Sequence, residues 1–412
     1  IQGRVSDDDT EIIIVYDHDI LSETFMEGLS RQFEHVVSQL LTESTTDSIS
    51  SVSVSGSWDL ERSLEWNSHH QTERVDDLIH AQFERQAALH PDKLAVQGWD
   101  YQMSYGELNQ AANRLAHHLV DAHNVGVDDF VHVCFEKSFW FIVAILAVNK
   151  AGACWVPLDP SHPASRLEQI TAQTKAKVAL TSSSTTTILK DLVSLTITVD
   201  RNLNEELKSS KTALAHGEHG PSVPVTSRNA CYTLFTSGST GTPKGFVIEH
   251  GSLCTSQNNI WSRLGMHADV RVMQFASYVF DMSIGEIVSA LTYGGTLFVP
   301  SEEERMNNLV EFINHNSINW VFATPAFLRT LDPASLPGVE LVLLAGEAVT
   351  QDILDNWVGK ARLVNAWGPA EIVFSSTLHE YKAGDVPATI GYPVGGNVWI
   401  VDPNDYTKLA PV

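Results

Sequence analysis

Cysteine is scarce in this chain and shows no pattern. There are four in 412 residues (Cys134, Cys154, Cys231, Cys254) and no CxxC pair, which argues against a disulfide framework. Cys134, Cys154 and Cys231 sit in apolar, strand-like runs, so they are expected to be buried free thiols in a reducing, cytoplasmic compartment. Long apolar runs are missing too. The longest, Phe139–Val148, has ten residues, about half of a membrane span. It reads as a buried helix ended near Gly152, so no membrane partner is expected, and no signal peptide is visible. Bases are few: 26 against 50 acids, a formal charge of −24. Such a surface repels nucleic acid and anionic lipid, and any polyanion must be held by a local site. The first residue is Ile1 rather than Met, so the chain reads as a piece of something longer.

What is present points to that local site. In Leu234-Phe-Thr-Ser-Gly-Ser-Thr-Gly-Thr-Pro-Lys-Gly245 an apolar run empties into glycines, hydroxyls and one cation. A strand ending this way offers backbone N–H groups and hydroxyls to one point, and glycine lets a phosphate approach the main chain. It is not a P-loop, because Pro243 precedes Lys244 and Gly245 follows it. A flexible Ser/Gly linker is the plain alternative, but linkers do not usually follow a strand-like run such as Ala230–Phe235.

Along the chain, a strand candidate at Glu11–Tyr16 leads into a helix with Phe25, Leu29, Phe33, Val36, Val37, Leu40 and Leu41 on one face. One strand and one helix cannot bury themselves, so residues 1–41 read as the end of a preceding domain or a docked flap. Residues 42–65, Ser/Thr-rich at their start, read as a linker. From about Val75 helices and strands alternate. A capping box at Ser104–Glu107 opens a helix, and strands are expected at Phe130–Phe135, Val270–Phe275, Trp320–Ala323, Val339–Leu344 and Arg362–Val364. Repeated βα units predict an α/β fold with parallel sheets and ligands at strand carboxyl ends.

Three more loops follow strands. In Phe280-Asp-Met-Ser-Ile-Gly-Glu-Ile287, Asp281 opens an apolar helix, either as its N-cap or as a buried anion for a substrate cation. Leu343-Leu-Ala-Gly-Glu-Ala348 by itself is a βα turn. In Asn365-Ala-Trp-Gly-Pro-Ala-Glu371, Asn365 is suited to a base edge, Trp367 to a base face and Glu371 to a divalent cation, although Gly-Pro is also an ordinary turn.

Together, from about Trp66 to the end, these loops resemble the adenylate-forming superfamily, specifically amino-acid adenylation domains of non-ribosomal peptide synthetases. Met103–Asn109, Leu146–Asp159 and Ile390–Asp402 match as well, and residues 1 to about 50 resemble the tail of a condensation domain. The resemblance implies an adenylate-forming large core with layered βα sheets over residues 66–412. The chain would bind ATP and Mg²⁺, join an amino acid to AMP with release of pyrophosphate, and pass it to phosphopantetheine on a carrier domain. It also implies a carrier and a condensation domain as partners. ATP would be held by Thr236, Ser237, Gly238, Ser239, Thr240, Gly241, Lys244, Gly346, Glu347, Asn365, Trp367 and Glu371. Of these, Thr236, Ser237, Lys244 and Glu371 would be catalytic, and Glu371 would bind the metal.

Carried over in the same way, Asp281, Met282, Gly285, Phe322, Leu343, Ala345, Ala366, Phe374 and Ser375 would line the amino-acid pocket. Asp281 implies an α-ammonium. No second charge lines the pocket, so a charged side chain would be rejected. Gly285, Ala345 and Ala366 leave volume beside the flat walls of Phe322 and Phe374, which favours a bulky apolar or aromatic substrate, tryptophan first, then phenylalanine or leucine. The chain departs from the family at Ala370, usually threonine, and at Trp367, usually tyrosine. Losing one phosphate-contacting hydroxyl costs on the order of 3 kcal/mol of transition-state stabilisation. No Thr-Gly-Asp segment follows Asp402 and no C-terminal lid domain with its lysine is seen, so slow adenylation is expected of this piece. A catalytically impaired docking module and an acyl- or aryl-CoA ligase remain as alternatives.

Overall fold

The computed structural model describes all residues except 1, 6–9, 43–47, 69–71, 210–218, 238–240 and 412. The chain divides into two compact units, residues 1–71 with 397–412, and residues 72–396.

In the first unit, β1 (Gln2–Val5) and β2 (Thr10–Ile13) form an antiparallel ribbon, and the helix expected after them spans Glu23–Thr42. Its stripe is partly open, with Phe25, Leu29 and Phe33 exposed. The stretch read as a linker includes a helix, Ser57–Ser68, tied to the first by a bond from Gln32 Nε2 to Asp59 Oδ1 (2.8 Å). Residues 397–412 close onto it. Asn67 donates to Val398 O (3.0 Å) and accepts from its N–H (2.9 Å), and Ser55 donates to Leu409 O (2.7 Å). These pairings span more than 300 residues, which is why local pattern hides them.

The larger unit holds two sheets. The first runs in the order β10-β9-β6-β5-β7-β8, with β5 Phe130–Cys134, β6 Cys154–Leu158, β7 Val178–Thr181, β8 Leu195–Thr198, β9 Ala230–Thr236 and β10 Lys244–Glu249. The second runs β17-β16-β15-β14-β13-β11-β12-β3-β4. Its strands are β3 Leu94–Gly98, β4 Gln102–Ser104, β11 Arg271–Met273, β12 Thr296–Val299, β13 Trp320–Ala323, β14 Leu341–Leu344, β15 Arg362–Trp367, β16 Thr377–Glu380 and β17 Tyr392–Pro393. Their centres are parallel, and β6, β13 and β14 are buried throughout, as continuous apolar runs require of strands covered on both faces. One apolar core joins them, containing Val131 and Trp155 of the first sheet and Val272, Phe322 and Leu343 of the second.

The helix Phe139–Lys150 has every residue buried, and the Ser104–Glu107 capping box forms as read. All four cysteines are free and buried, and no described helix is long and apolar enough to cross a membrane. The sequence reading missed the helix His250–Leu264: its Ser-Gln-Asn-Asn stretch masks a stripe of Leu253, Ile260, Trp261 and Leu264, all buried. Strand β11 is shorter than expected because the N–H groups of Phe275 and Ala276 turn to the carboxylate of Glu286.

Candidate functional site

Strands β9, β14 and β15 end at the loops singled out in the sequence. Strand β9 turns back into β10 as an antiparallel hairpin that sets Thr236 opposite Lys244. Thr236 Oγ1 donates to Lys244 O at 3.5 Å, while Ser237, Gly241 and Lys244 are exposed. Gly238, Ser239 and Thr240 lie outside the described residues. The helix Ala164–Thr174 holds the base of the hairpin: Arg166 reaches Phe235 O (3.4 Å) and Gln173 reaches Pro243 O (3.1 Å).

Asp281 is the first residue of the helix Asp281–Thr292 and not its N-cap. Phe280 holds the cap position, with no side-chain cap bond, while the Asp281 carboxyl meets the N–H groups of Asp281 and Met282, so the capping role is kept in part, from the first helical position. The Asp281 side chain is largely buried. Burial pushes its carboxyl up to about 6, the first-turn N–H groups pull it down, and the negative charge of Glu371 raises it further. Glu371 is therefore close enough to be felt, although it lies 90 residues on in sequence. No cation among the described residues pairs with Asp281, so an anion stands in low-polarity surroundings with only helix N–H groups beside it.

The space beside Gly285 is narrower than the small residue suggests. A Cβ at Gly285 would come within 3.2 Å of the Phe374 ring, so that ring fills the space glycine leaves. It gets there because Val373 and Phe374 both adopt left-handed backbone (φ 66° and 79°), a conformation costly for a β-branched residue. The ring belongs to a cluster with Trp261 (5.8 Å between centroids) and Phe322 (6.4 Å). Phe322 and Leu343 are neighbours in register on β13 and β14. Met282, Phe322, Leu343, Ala366 and Phe374 are buried in the same core, with Ala345 packed against it. Ser375 is buried, and its hydroxyl is taken by Thr377 O at 2.7 Å. Gly368 is required by its turn, since a Cβ there would lie 2.6 Å from Ser376 N.

The remaining positions divide. Trp367 is half exposed, and Glu371 and Gly346 are exposed. Glu347 is exposed as well, with its carboxylate accepting from Ala326 N (2.8 Å). Asn365 is buried, and its Nδ2 donates inward to Thr389 O (3.0 Å) and Tyr381 Oη (3.3 Å), which fixes the orientation of the amide. Sequence reasoning missed Trp261, Tyr278, Lys137, Gln274 and Glu286. Glu286 stood in the quoted loop, but only the fold shows that it is fully buried.

Comparisons with known proteins identify the family. Residues 83–411 match the AMP-binding enzyme family, and the chain belongs to it. The chain is 37% identical over 408 residues to an FR901469 synthetase of Dothideomycetidae sp. (98% of this chain, 3% of the relative). It is 37% identical over 407 residues to N-benzoylphenylalaninol synthetase apmA of Penicillium brevicompactum (98% and 17%), and 35% identical over 399 residues to enniatin synthetase of Fusarium oxysporum (96% and 12%). It thus spans only a small part of these curated relatives. A crystal structure of the non-ribosomal peptide synthetase FmoA3 in an AMPPNP-bound form superposes with a TM-score of 0.80 at 20% identity, covering 95% of this chain and 42% of that one. The fold is that of the adenylate-forming enzymes, and the chain is an adenylating ligase, the adenylation domain of a non-ribosomal peptide synthetase.

Proposed function

We propose that this domain activates an α-amino acid with an apolar side chain to its aminoacyl-AMP, releases pyrophosphate, and supplies the aminoacyl group to phosphopantetheine on a carrier domain downstream of a condensation domain. The observation that carries the reading is the unpaired, largely buried Asp281 near Glu371. It suits an α-ammonium, and the carboxylate of that amino acid would point toward the hairpin that presents Thr236, Ser237 and Lys244.

In the reaction a carboxylate oxygen bonds to the α-phosphorus of ATP, and the bond to the β-phosphate oxygen breaks. Charge grows on the phosphate oxygens, where hydroxyl and N–H donors of the 236–241 loop and the Lys244 cation would stabilise it. Gly346 and the half-exposed Trp367 would flank the base. Glu371 is a suitable hard-oxygen donor for Mg²⁺. Among the described residues no cluster of three or more ligating side chains exists, which fits an ion held by one carboxylate and phosphates. Such an ion would neutralise phosphate charge. A CoA ligase for simple carboxylic acids has no use for Asp281, which disfavours that alternative.

The side-chain preference turns on Phe374. With its ring against Gly285, a leucine- or phenylalanine-sized chain has less to displace than tryptophan, the first choice on composition. Amino-acid-dependent ATP–pyrophosphate exchange over the twenty L-amino acids is the test. The exchange is run on the protein extended through a lid domain: preference for an apolar side chain supports the reading, preference for lysine, aspartate or glycine contradicts it, and silence toward all of them favours a docking module.

A further inference from the structure

Beneath Asp281 lies a buried charged chain that the reaction does not use. Lys137, in the turn between β5 and the helix Phe139–Lys150, is buried together with Gln274 and Glu286, both 0% exposed. Lys137 Nζ donates to Gln274 Oε1 at 2.6 Å and to Ala276 O, and it stands 4.5 Å from the centre of the Tyr278 ring. The Gln274 amide passes the contact on, donating to Glu286 Oε2 at 2.8 Å. Glu286 also accepts from Phe275 N (3.1 Å) and Ala276 N (3.1 and 3.2 Å). Lys137, in the turn that follows β5, is thus joined through an amide to Glu286 on the Asp281 helix.

The chain surrounds the loop that delivers Asp281. Residues 274–280 leave β11 and enter that helix, and every polar atom just named belongs to that loop, to the helix, or to the turn after β5 that carries Lys137. Tyr278 completes the clamp. Its ring stacks on Phe141 at 3.5 Å and 5°, and its hydroxyl accepts from Ser138 N and donates to Ser138 O, both at 3.2 Å. Apolar residues could fill such a space without the cost of burying two charges. What hydrogen-bonded charges add is fixed direction.

We propose that Lys137, Gln274 and Glu286 form a positioning chain that sets where the Asp281 carboxylate meets the substrate amine, with Lys137 a positioning residue of the adenylation reaction. This rests on the reading of Asp281 given above. A purely structural role would weaken all ligands alike or none. A positioning role weakens the amino acid selectively, because the phosphate hairpin hangs from β9 and β10 and not from this loop.

The test is calorimetric binding of AMPPNP and, separately, of the amino acid selected by the exchange panel, to this chain and its Lys137→Met, Lys137→Arg and Tyr278→Phe variants. Lys137→Met should weaken the amino acid about tenfold and AMPPNP by less than about twofold, the loss expected when one hydrogen bond to a charged group disappears. Lys137→Arg should recover most of the difference. Tyr278→Phe, which removes only a hydroxyl, should cost about threefold for the amino acid alone. Equal weakening of both ligands, or unchanged amino-acid binding in a folded variant, overturns the proposal. If Lys137→Met does not fold, Tyr278→Phe decides by the same criterion. If the unsubstituted chain binds AMPPNP and no amino acid, the reading of Asp281 itself fails, and this proposal with it.

Discussion

Two carboxylates stand five residues apart on one helix and meet opposite fates. Glu286 is fully buried, yet it collects bonds from Gln274, Phe275 and Ala276 and shares its surroundings with the Lys137 cation. Asp281 is less buried but has only first-turn N–H groups beside it, and the nearby Glu371 repels it. Burial raises both groups. Glu286 is raised at least as far as Asp281, so what separates the two is their partners: Glu286 has three hydrogen-bond donors and Lys137 nearby, Asp281 only N–H groups of its own first turn. A satisfied buried charge belongs to the scaffold, and an unsatisfied one marks where a ligand completes the site.

The largest effect should come from breaking the unsatisfied end. Asp281→Asn should lower amino-acid-dependent pyrophosphate exchange by at least about a hundredfold, the cost of leaving a charge buried without its partner. The ligand-free protein should melt at the same or a higher temperature. Removing the satisfied end should reverse the pattern. Glu286→Ala should lower stability by about 3 kcal/mol, because Lys137 and three donors lose their partner in the core, and denaturant unfolding would register it.

A pH titration sharpens the comparison. With its folded pKa raised to about 6 above an ordinary value near 3.8, Asp281 binds its proton more tightly when folded. It therefore lowers ligand-free stability as pH rises from about 4 to 6, by about 2–3 kcal/mol, and adds no slope above that. His80 and His250, held neutral by burial with pKa values pushed down to about 3, act with the opposite sign. They favour the unfolded state progressively as pH falls below about 6.5. The difference between wild type and Asp281→Asn isolates the carboxylate, and an identical pH slope in the two would contradict its raised pKa. The smallest effect belongs to the pocket wall. Phe374→Ala should shift relative kcat/KM toward larger apolar substrates by about tenfold, with little change in the response to ATP.

Much of this was legible in the sequence. Strands such as β13 and β14 are uninterrupted apolar runs, and the Ser104 capping box follows local rules, so both could be read without a fold. The strand-to-loop transition at Phe235 marked the end of β9, and Asp281 stood out as a charge among apolar neighbours. Depth was not legible. Gly285 reads as open space until the left-handed turn at Val373 and Phe374 swings the Phe374 ring into it. The orientation of the Asn365 amide is invisible until Thr389 and Tyr381 accept from its Nδ2. Lys137 and Glu286 are ordinary surface-type residues until two sheets close over them, and the pairing of Asn67 with Val398 depends on contacts no local window contains.

The central claim is that Asp281 remains an uncompensated anion until an ammonium arrives. Its most direct measurement is pyrophosphate exchange with the preferred amino acid against the matching 2-hydroxy acid, identical but for the cation, in wild type and in Asp281→Asn. Wild type should prefer the amino acid by at least about a hundredfold, and the variant should lose that preference. Equal use of both acids by wild type, or a preference that survives in the variant, would contradict the account.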